Sequence, residues 1–150
     1  MKCLALDLGT KTGYCIFEVP FKVLESGTQD FKGLSKGSMG KRFVAFRDWL
    51  IRKVLGNNIN VIYYEDVRAH NGTIAAHVYG GFLYHLAAVC EDYNIALQGF
   101  GVTQIKKCFA GTGRASKEDM IGAARQLGFR PVDDNEADSI GIAVTSLVNL

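Results

Sequence analysis

The run that opens the chain, Lys2 to Leu8, constrains the architecture more than any other stretch. Cys3, Ala5 and Asp7 alternate with Leu4, Leu6 and Leu8, so both faces are apolar except for one acid near the end. A strand apolar on both faces needs cover on both, as the centre of an α/β sheet has. Burying an ionised carboxylate there costs on the order of several kcal/mol unless a cation or hydrogen-bond donors meet it. Gly9 and Gly13 are expected to bracket a tight return, with a second strand from Tyr14 to Val19. An acid at a strand tip above a glycine turn reads as a metal or phosphate site, against the plainer option of an Asx-turn that only closes a hairpin.

After Pro20, Lys22 to Thr28 extends this into an antiparallel meander, and the glycine- and serine-rich residues 29–40 read as a loop. Ser38 is placed to cap a helix from Met39 to Leu55, in which Phe43, Phe46, Leu50 and Leu55 recur every three to four residues. Lys41, Arg42, Arg47, Arg52 and Lys53 read as its solvated face, and Gly56-Asn57-Asn58 ends it. Asn60 to Glu65 reads as a second buried strand that again finishes on an acid; Asp66 follows and points to the opposite face. Residues 68–73 form a loop. The helix expected from Ile74 to Tyr93 is apolar almost all round and needs cover beyond its core side, which suggests a subunit interface. His77 and His85 on it read as packing or interface residues, since no third metal ligand has matching spacing.

A short strand is expected from Ile95 to Gly99 and a short helix from Thr103 to Gly111. Ser116 and Asp119 make a capping-box pair for the next helix, which closes at Gly128. Lys117 breaks the pattern, because it lies in the first turn, where the macrodipole disfavours a cation. Free helix amides, Arg114 and Lys117 together would cradle a phosphate. The last helix covers 133–150, with Asp133 and Glu136 as a second capping pair and Ala137, Ile140, Val144, Leu147 and Val148 as the core stripe. Asp138 is off that stripe and beyond the reach of capping. With Asn135 or Asp134 beside it on one helix face, it forms a third oxygen cluster.

At 150 residues the chain suits a single domain, 1–150, with a full core. A hydrophobic content of 48% with 21% charged residues fits a soluble globular protein. No apolar run was expected to approach the roughly 20 residues of a membrane span, so no membrane partner is expected. Cys3, Cys15, Cys90 and Cys108 lie far apart without zinc or disulfide spacing, which fits a reduced, intracellular setting. The net charge of +2 alone argues little, but its distribution does more. Six cations against two acids give residues 101–130 a net +4, leaving −2 for the other 120, as a phosphate-facing surface requires.

Asp7, Glu65 and Asp138 therefore come from two strand ends and one helix. They suit hard divalent cations with oxygen ligands, Mg²⁺ or Mn²⁺. Two such ions about 3.5 to 4 Å apart activate water and stabilise the leaving oxygen in phosphodiester hydrolysis. Through LALDLGTKTGY, VIYYE, VTQIKKCFAGTGRASKEDM and NEADSIGIA, the sequence resembles the RuvC-type Holliday junction resolvases of ribonuclease H fold over nearly its whole length. The resemblance implies an α/β fold, a five-stranded mixed sheet with helices on both faces. It implies Asp7, Glu65 and Asp138 as metal-binding catalytic acids, with Asn135 or Asp134 as a further ligand and two Mg²⁺ or Mn²⁺ ions per site. Lys106 and Lys117, eleven residues apart across a Gly-x-Gly loop, look like the lysines that meet the scissile strand. Lys106, Lys107, Arg114, Lys117 and Arg68 are the implied DNA contacts. The implied protein is a homodimer, joined largely through the helix after the glutamate strand, that nicks two opposing strands of a four-way junction.

Three departures stand out. The opening loop is one residue shorter than the commonest cellular form and lacks its proline. Asn135 stands where that form has an aspartate, and an amide oxygen ligates more weakly. Arg68 replaces the wedge aromatic that many members carry. The short loops and the NEAD ending are more similar to phage-type members, which cut several branched DNAs. The expected setting is the cytoplasm, of a bacterial cell or of a phage host. Two other readings are a non-catalytic branched-DNA binder and an actin-like nucleotide-binding fragment suggested by DLGTKTG. The second needs two domains and another phosphate loop, which 150 residues do not hold.

Overall fold

In chain order the elements are β1 (Lys2–Asp7), β2 (Lys11–Glu18), β3 (Lys22–Asp30), α1 (Lys41–Asn57), β4 (Val61–Asp66), α2 (Thr73–Asp92), β5 (Ala96–Gly101), α3 (Val102–Ala110), α4 (Lys117–Gln126) and α5 (Asp134–Val148). This computed structural model describes residues 1–34 and 36–150; Ser35, in the expected 29–40 loop, lies outside the described residues. One mixed sheet runs in the order β3-β2-β1-β4-β5, with β1 at its centre. β1 pairs antiparallel with β2 and parallel with β4; β3 is antiparallel to β2, and β5 parallel to β4.

The alternation in β1 sorts the molecule into two cores. Leu4, Leu6 and Leu8 pack with Ile16, Phe46, Trp49, Leu50, Phe82 and Leu86 under α1 and α2. Cys3 and Ala5 pack with Phe17, Tyr63, Phe100, Ile105, Met120 and Ile140 under α3, α4 and α5. The expected α/β architecture with helices on both faces is present. Asp7 continues the Cys3–Ala5 series and so emerges on the α3–α5 face.

Several local expectations are corrected. Gly13 is not part of a turn, since β2 already begins at Lys11 and Gly13 pairs with Asp7. Asp30 and Gln29 extend β3 beyond Thr28, because both find partners on β2, at Lys11 and Thr12. Ser38 does not occupy the cap position, which is Gly40, yet its hydroxyl accepts from the amides of Gly40 and Lys41 at 3.3 and 3.2 Å. The cationic face of α1 is not wholly solvated: Arg42 reaches Thr10 at 3.3 Å, and Lys53 donates to Glu25 at 2.5 Å. Val148, expected in the core stripe, is exposed. It lies at the far end of α5, where the helix has outrun the sheet. Elsewhere α5 is buried nearly all round, Ser139, Thr145 and Ser146 included, because it lies between the sheet and the α3–α4 pair.

α2 also departs from expectation. Its 20 residues are long and apolar enough, by length and composition, to cross a membrane, because no charge interrupts it before Glu91. Phe82, Leu86, Val89 and Cys90 anchor it in the first core, while Ile74 and Tyr84 remain exposed on the other side. His85 Nδ1 donates to Gly81 O, 2.7 Å away, and its ring stacks on Phe43, which fits its expected packing role; His77 is exposed. All four cysteines are free thiols.

Candidate active site

Register brings the first two acids together. Ala5 pairs with Tyr63 and Leu6 with Tyr64 across the parallel β1–β4 ladder, so Asp7 and Glu65 are the next pair along. Parallel neighbours are about 4.8 Å apart, and side chains two residues beyond Ala5 and Tyr63 share their face. Asp7 and Glu65 therefore stand side by side on the α3–α5 face, at the carboxyl end of the sheet.

Gly13 brings in the third. A Cβ at Gly13 would lie 1.9 Å from the carbonyl oxygen of Asn135. Only a residue without a side chain lets the first turn of α5 sit directly on β2, beside Asp7. That turn is then fastened from both sides. Asp133 Oδ1 accepts from Glu136 N at 2.9 Å and from Thr28 Oγ1 at 2.6 Å. Glu136, only 6% exposed, accepts from Ser26 Oγ at 2.7 Å and from Val132 N at 2.9 Å. Asp133 caps as expected, but Glu136 returns to Val132 and β3 rather than to the cap residue's own amide, so the pair is not a reciprocal capping box. Asp138, one turn further on, faces the two strand acids.

The electrostatics follow from this packing. Burial raises Asp7 well above the ordinary carboxylate range, and the charges of Glu65, Asp138, Asp134 and Asp133 raise it further. Asp138 is pushed up to about 7, first by burial and then by Glu65 and Asp134, against the opposing pull of Lys106 and Lys117. Burial also raises Glu65, and Lys106 lowers it. The two lysines therefore sit within electrostatic reach of the acids. Among the described residues, no donor or cation is bonded to the carboxylates of Asp7, Glu65 or Asp138.

The remaining expected residues divide. Asp134 joins the cluster, acting on both Asp7 and Asp138, and lies 3.8 Å from Lys117 Nζ. Asn135 is half-buried beside it, with its backbone against Gly13. Lys117 is 78% exposed at the start of α4, so its ammonium can turn outward. The cradle expected there is smaller than foreseen. The capping box is complete, with Asp119 N donating to Ser116 Oγ at 3.1 Å and Ser116 N donating to Asp119 Oδ2 at 2.9 Å, so those amides are occupied. Lys107 and Arg114 are exposed on the same side of the chain's basic segment. Arg68 is drawn away: it pairs with Asp66 at 3.0 Å, and Asp66 alternates to the face opposite Glu65, as expected.

As they stand, no three Asp, Glu, His or Cys side chains among the described residues are gathered closely enough to hold one ion. The donor set itself fits a hard divalent cation: all oxygen, partly buried, and without internal partners apart from the 3.8 Å contact of Asp134 with Lys117. Asp7, Glu65, Asp138 and Asp134 are the residues that would hold it.

Solved structures share this fold. Thermus thermophilus RuvC in complex with a Holliday junction substrate superposes with a TM-score of 0.85, at 19% identity, over 97% of this chain and 92% of that one. The fold is that of the RuvC-type Holliday junction resolvases. The yeast mitochondrial Holliday junction resolvase Ydc2 superposes with a TM-score of 0.64, at 17% identity, over 97% of this chain and 77% of its own. In sequence, the crossover junction endodeoxyribonuclease RuvC of Rickettsia typhi is 27% identical over 130 residues, 85% of this chain and 82% of that relative. No family model matches the chain. The RuvC-type resemblance read from the four sequence segments thus extends to the whole fold.

Two features of the site were not visible in the sequence reading. Glu136 looked like a capping residue, and its partner Ser26 lies 110 residues away. Tyr79 looked like one more apolar position of α2, yet its hydroxyl donates to Glu65 O at 2.7 Å and accepts from Val67 N at 3.1 Å. No local pattern announces either contact.

Proposed function

We propose that this chain is a metal-dependent, structure-selective endodeoxyribonuclease that resolves four-way DNA junctions by paired nicks. It acts as one nuclease domain per subunit in a homodimer. The observation that carries this reading is the convergence of Asp7, Glu65 and Asp138, unpartnered and each raised by burial, with Asp7 and Asp138 raised further by neighbouring acids and Lys106 and Lys117 at their edge.

Two Mg²⁺ or Mn²⁺ ions, when bound, would supply an activated water and charge stabilisation for the leaving oxygen. The chain's own residues do the rest. Asp7, Glu65, Asp138 and Asp134 would hold the ions, and the bracing of α5 by Glu136 and Asp133 keeps the last two in register with the strands. Lys106 and Lys117 offset the carboxylates and are positioned to meet the charge that develops on the scissile phosphate. Lys107 and Arg114 add charge for the flanking backbone, where phosphate contacts position without reading sequence. Arg68, held by Asp66 away from the acids, would meet DNA outside the cleavage site. The exposed apolar side of α2 suits a second subunit. The setting is the cytoplasm, where four free thiols stay reduced.

The test is incubation of the purified protein with labelled four-way, three-way, flap and linear duplex DNA, with and without Mg²⁺. Symmetric nicks in the four-way junction that require Mg²⁺ are expected. Binding without cleavage at any Mg²⁺ or Mn²⁺ concentration would leave a branched-DNA binder instead.

A further inference from the structure

The Glu65 side chain has no hydrogen bond within the described residues, so its direction depends on the backbone that carries it. That backbone is at the very end of β4, where the ladder stops at Asp66 and the chain turns away. A strand end is where fraying begins. One side chain from another element closes this end. The Tyr79 hydroxyl, on α2, donates to Glu65 O at 2.7 Å and accepts from Val67 N at 3.1 Å, forming a ring around residues 65–67. His70 covers it, with its ring 4.9 Å from that of Tyr79 and Nε2 3.1 Å from Val67 O.

We infer that Tyr79 is a positioning residue for the metal site: its hydroxyl fixes the backbone from the Glu65 carbonyl to the Val67 amide and so sets where the Glu65 carboxylate meets an ion. The inference rests on the nuclease reading above. Only a group that both donates and accepts can bridge a carbonyl and an amide two residues apart, and a phenol on a helix does so without ordering a long chain. Partners that orient metal ligands typically govern metal affinity or activity by 10- to 100-fold. Glu65 is held through its main chain rather than through its carboxylate, which leaves both side-chain oxygens open to ligation.

The test is Tyr79→Phe, which keeps the ring and removes only the bridge. Tyr93→Phe, at the C-terminal cap of the same helix, is the control. Mn²⁺ binding to the protein alone is read by isothermal titration, junction binding is read without metal, and the cleavage rate is read against Mg²⁺ concentration. Tyr79→Phe is expected to weaken Mn²⁺ binding about 10-fold and to raise the half-saturating Mg²⁺ for cleavage by a similar factor. Metal-free junction affinity should stay within about twofold, and Tyr93→Phe should match the wild type in all three. A Tyr79→Phe variant that melts earlier but keeps wild-type Mn²⁺ affinity and Mg²⁺ dependence would reduce Tyr79 to a packing residue and overturn the inference. If the wild type itself binds no Mn²⁺ and cuts nothing, the nuclease reading has failed instead.

Discussion

Two groups of acids meet where α5 crosses the ends of β1 and β4, and they behave in opposite ways. Asp133 and Glu136 are partnered: four hydrogen bonds from Thr28, Ser26, Val132 and the Glu136 amide meet their oxygens. Asp7, Glu65 and Asp138 have none and face one another, with the titration of all three raised. Glu136 is the more buried by exposure, so burial alone does not mark a functional acid. What separates the groups is whether the fold supplies donors. Where it does, the carboxylate holds the structure together. Where it leaves a set of carboxylates pointed at each other, the fold has been made less stable locally in favour of something that arrives from solution.

The sharpest way to break this comparison is Asp7→Asn. Removing one ligand charge is expected to cut junction cleavage by about 10²- to 10³-fold, the scale of losing one preorganised charge-stabilising group, while junction binding persists. Because that charge is unfavourable without metal, the variant should also melt at a higher temperature than wild type in chelator. Full cleavage activity would remove Asp7 from the mechanism. Glu136→Gln should do the reverse. Weakening two buried hydrogen bonds is expected to cost about 1–3 kcal/mol in urea unfolding, with metal affinity changing less than in Asp7→Asn. If both variants lose stability alike, the distinction between the two groups is wrong.

A smaller effect separates the lysines from the acids. Lys117→Ala is expected to slow cleavage about 10-fold under saturating junction, with a smaller loss in binding. An equal cleavage rate would return Lys117 to the surface pair it makes with Asp134. The smallest effect is in the pH dependence of the metal-free protein. Asp138 holds its proton up to about pH 7 when folded, against an ordinary value of 3.8, so the folded state binds more protons across that window. Stability is then greatest at low pH within the window and is lost as pH rises through about 7. Melting in chelator should fall by a few degrees between pH 5 and pH 8, and saturating Mg²⁺ should remove most of that fall. A melting temperature that rises over the same range would contradict the raised titration of Asp138.

Much of this site could be read before any coordinates. Alternation in β1 and β4 put Asp7 and Glu65 at strand ends, and the helical offset of Asp138 from its apolar stripe set it apart from the capping acids. Those signals are local and periodic, which is why they survive in a bare sequence. The contacts that separate structural from functional acids are not local. Ser26 meets Glu136 across 110 residues, and Gly13 looked like a turn residue because its real constraint is an approaching carbonyl from Asn135. Tyr79 carries two roles on one side chain, an apolar ring that fits the α2 pattern and a hydroxyl that the pattern cannot see. Val148 failed for a similar reason: periodicity continues to the end of a helix even where the sheet beneath it has stopped.

The claim beneath all of this is that Asp7, Glu65 and Asp138 close around divalent ions. The most direct measurement is an anomalous difference map from crystals soaked in MnCl₂. The account predicts two peaks about 3.5–4 Å apart, bounded by Asp7, Glu65, Asp138 and Asp134. A map with no peak at these carboxylates, at Mn²⁺ concentrations that support cleavage in solution, would contradict it.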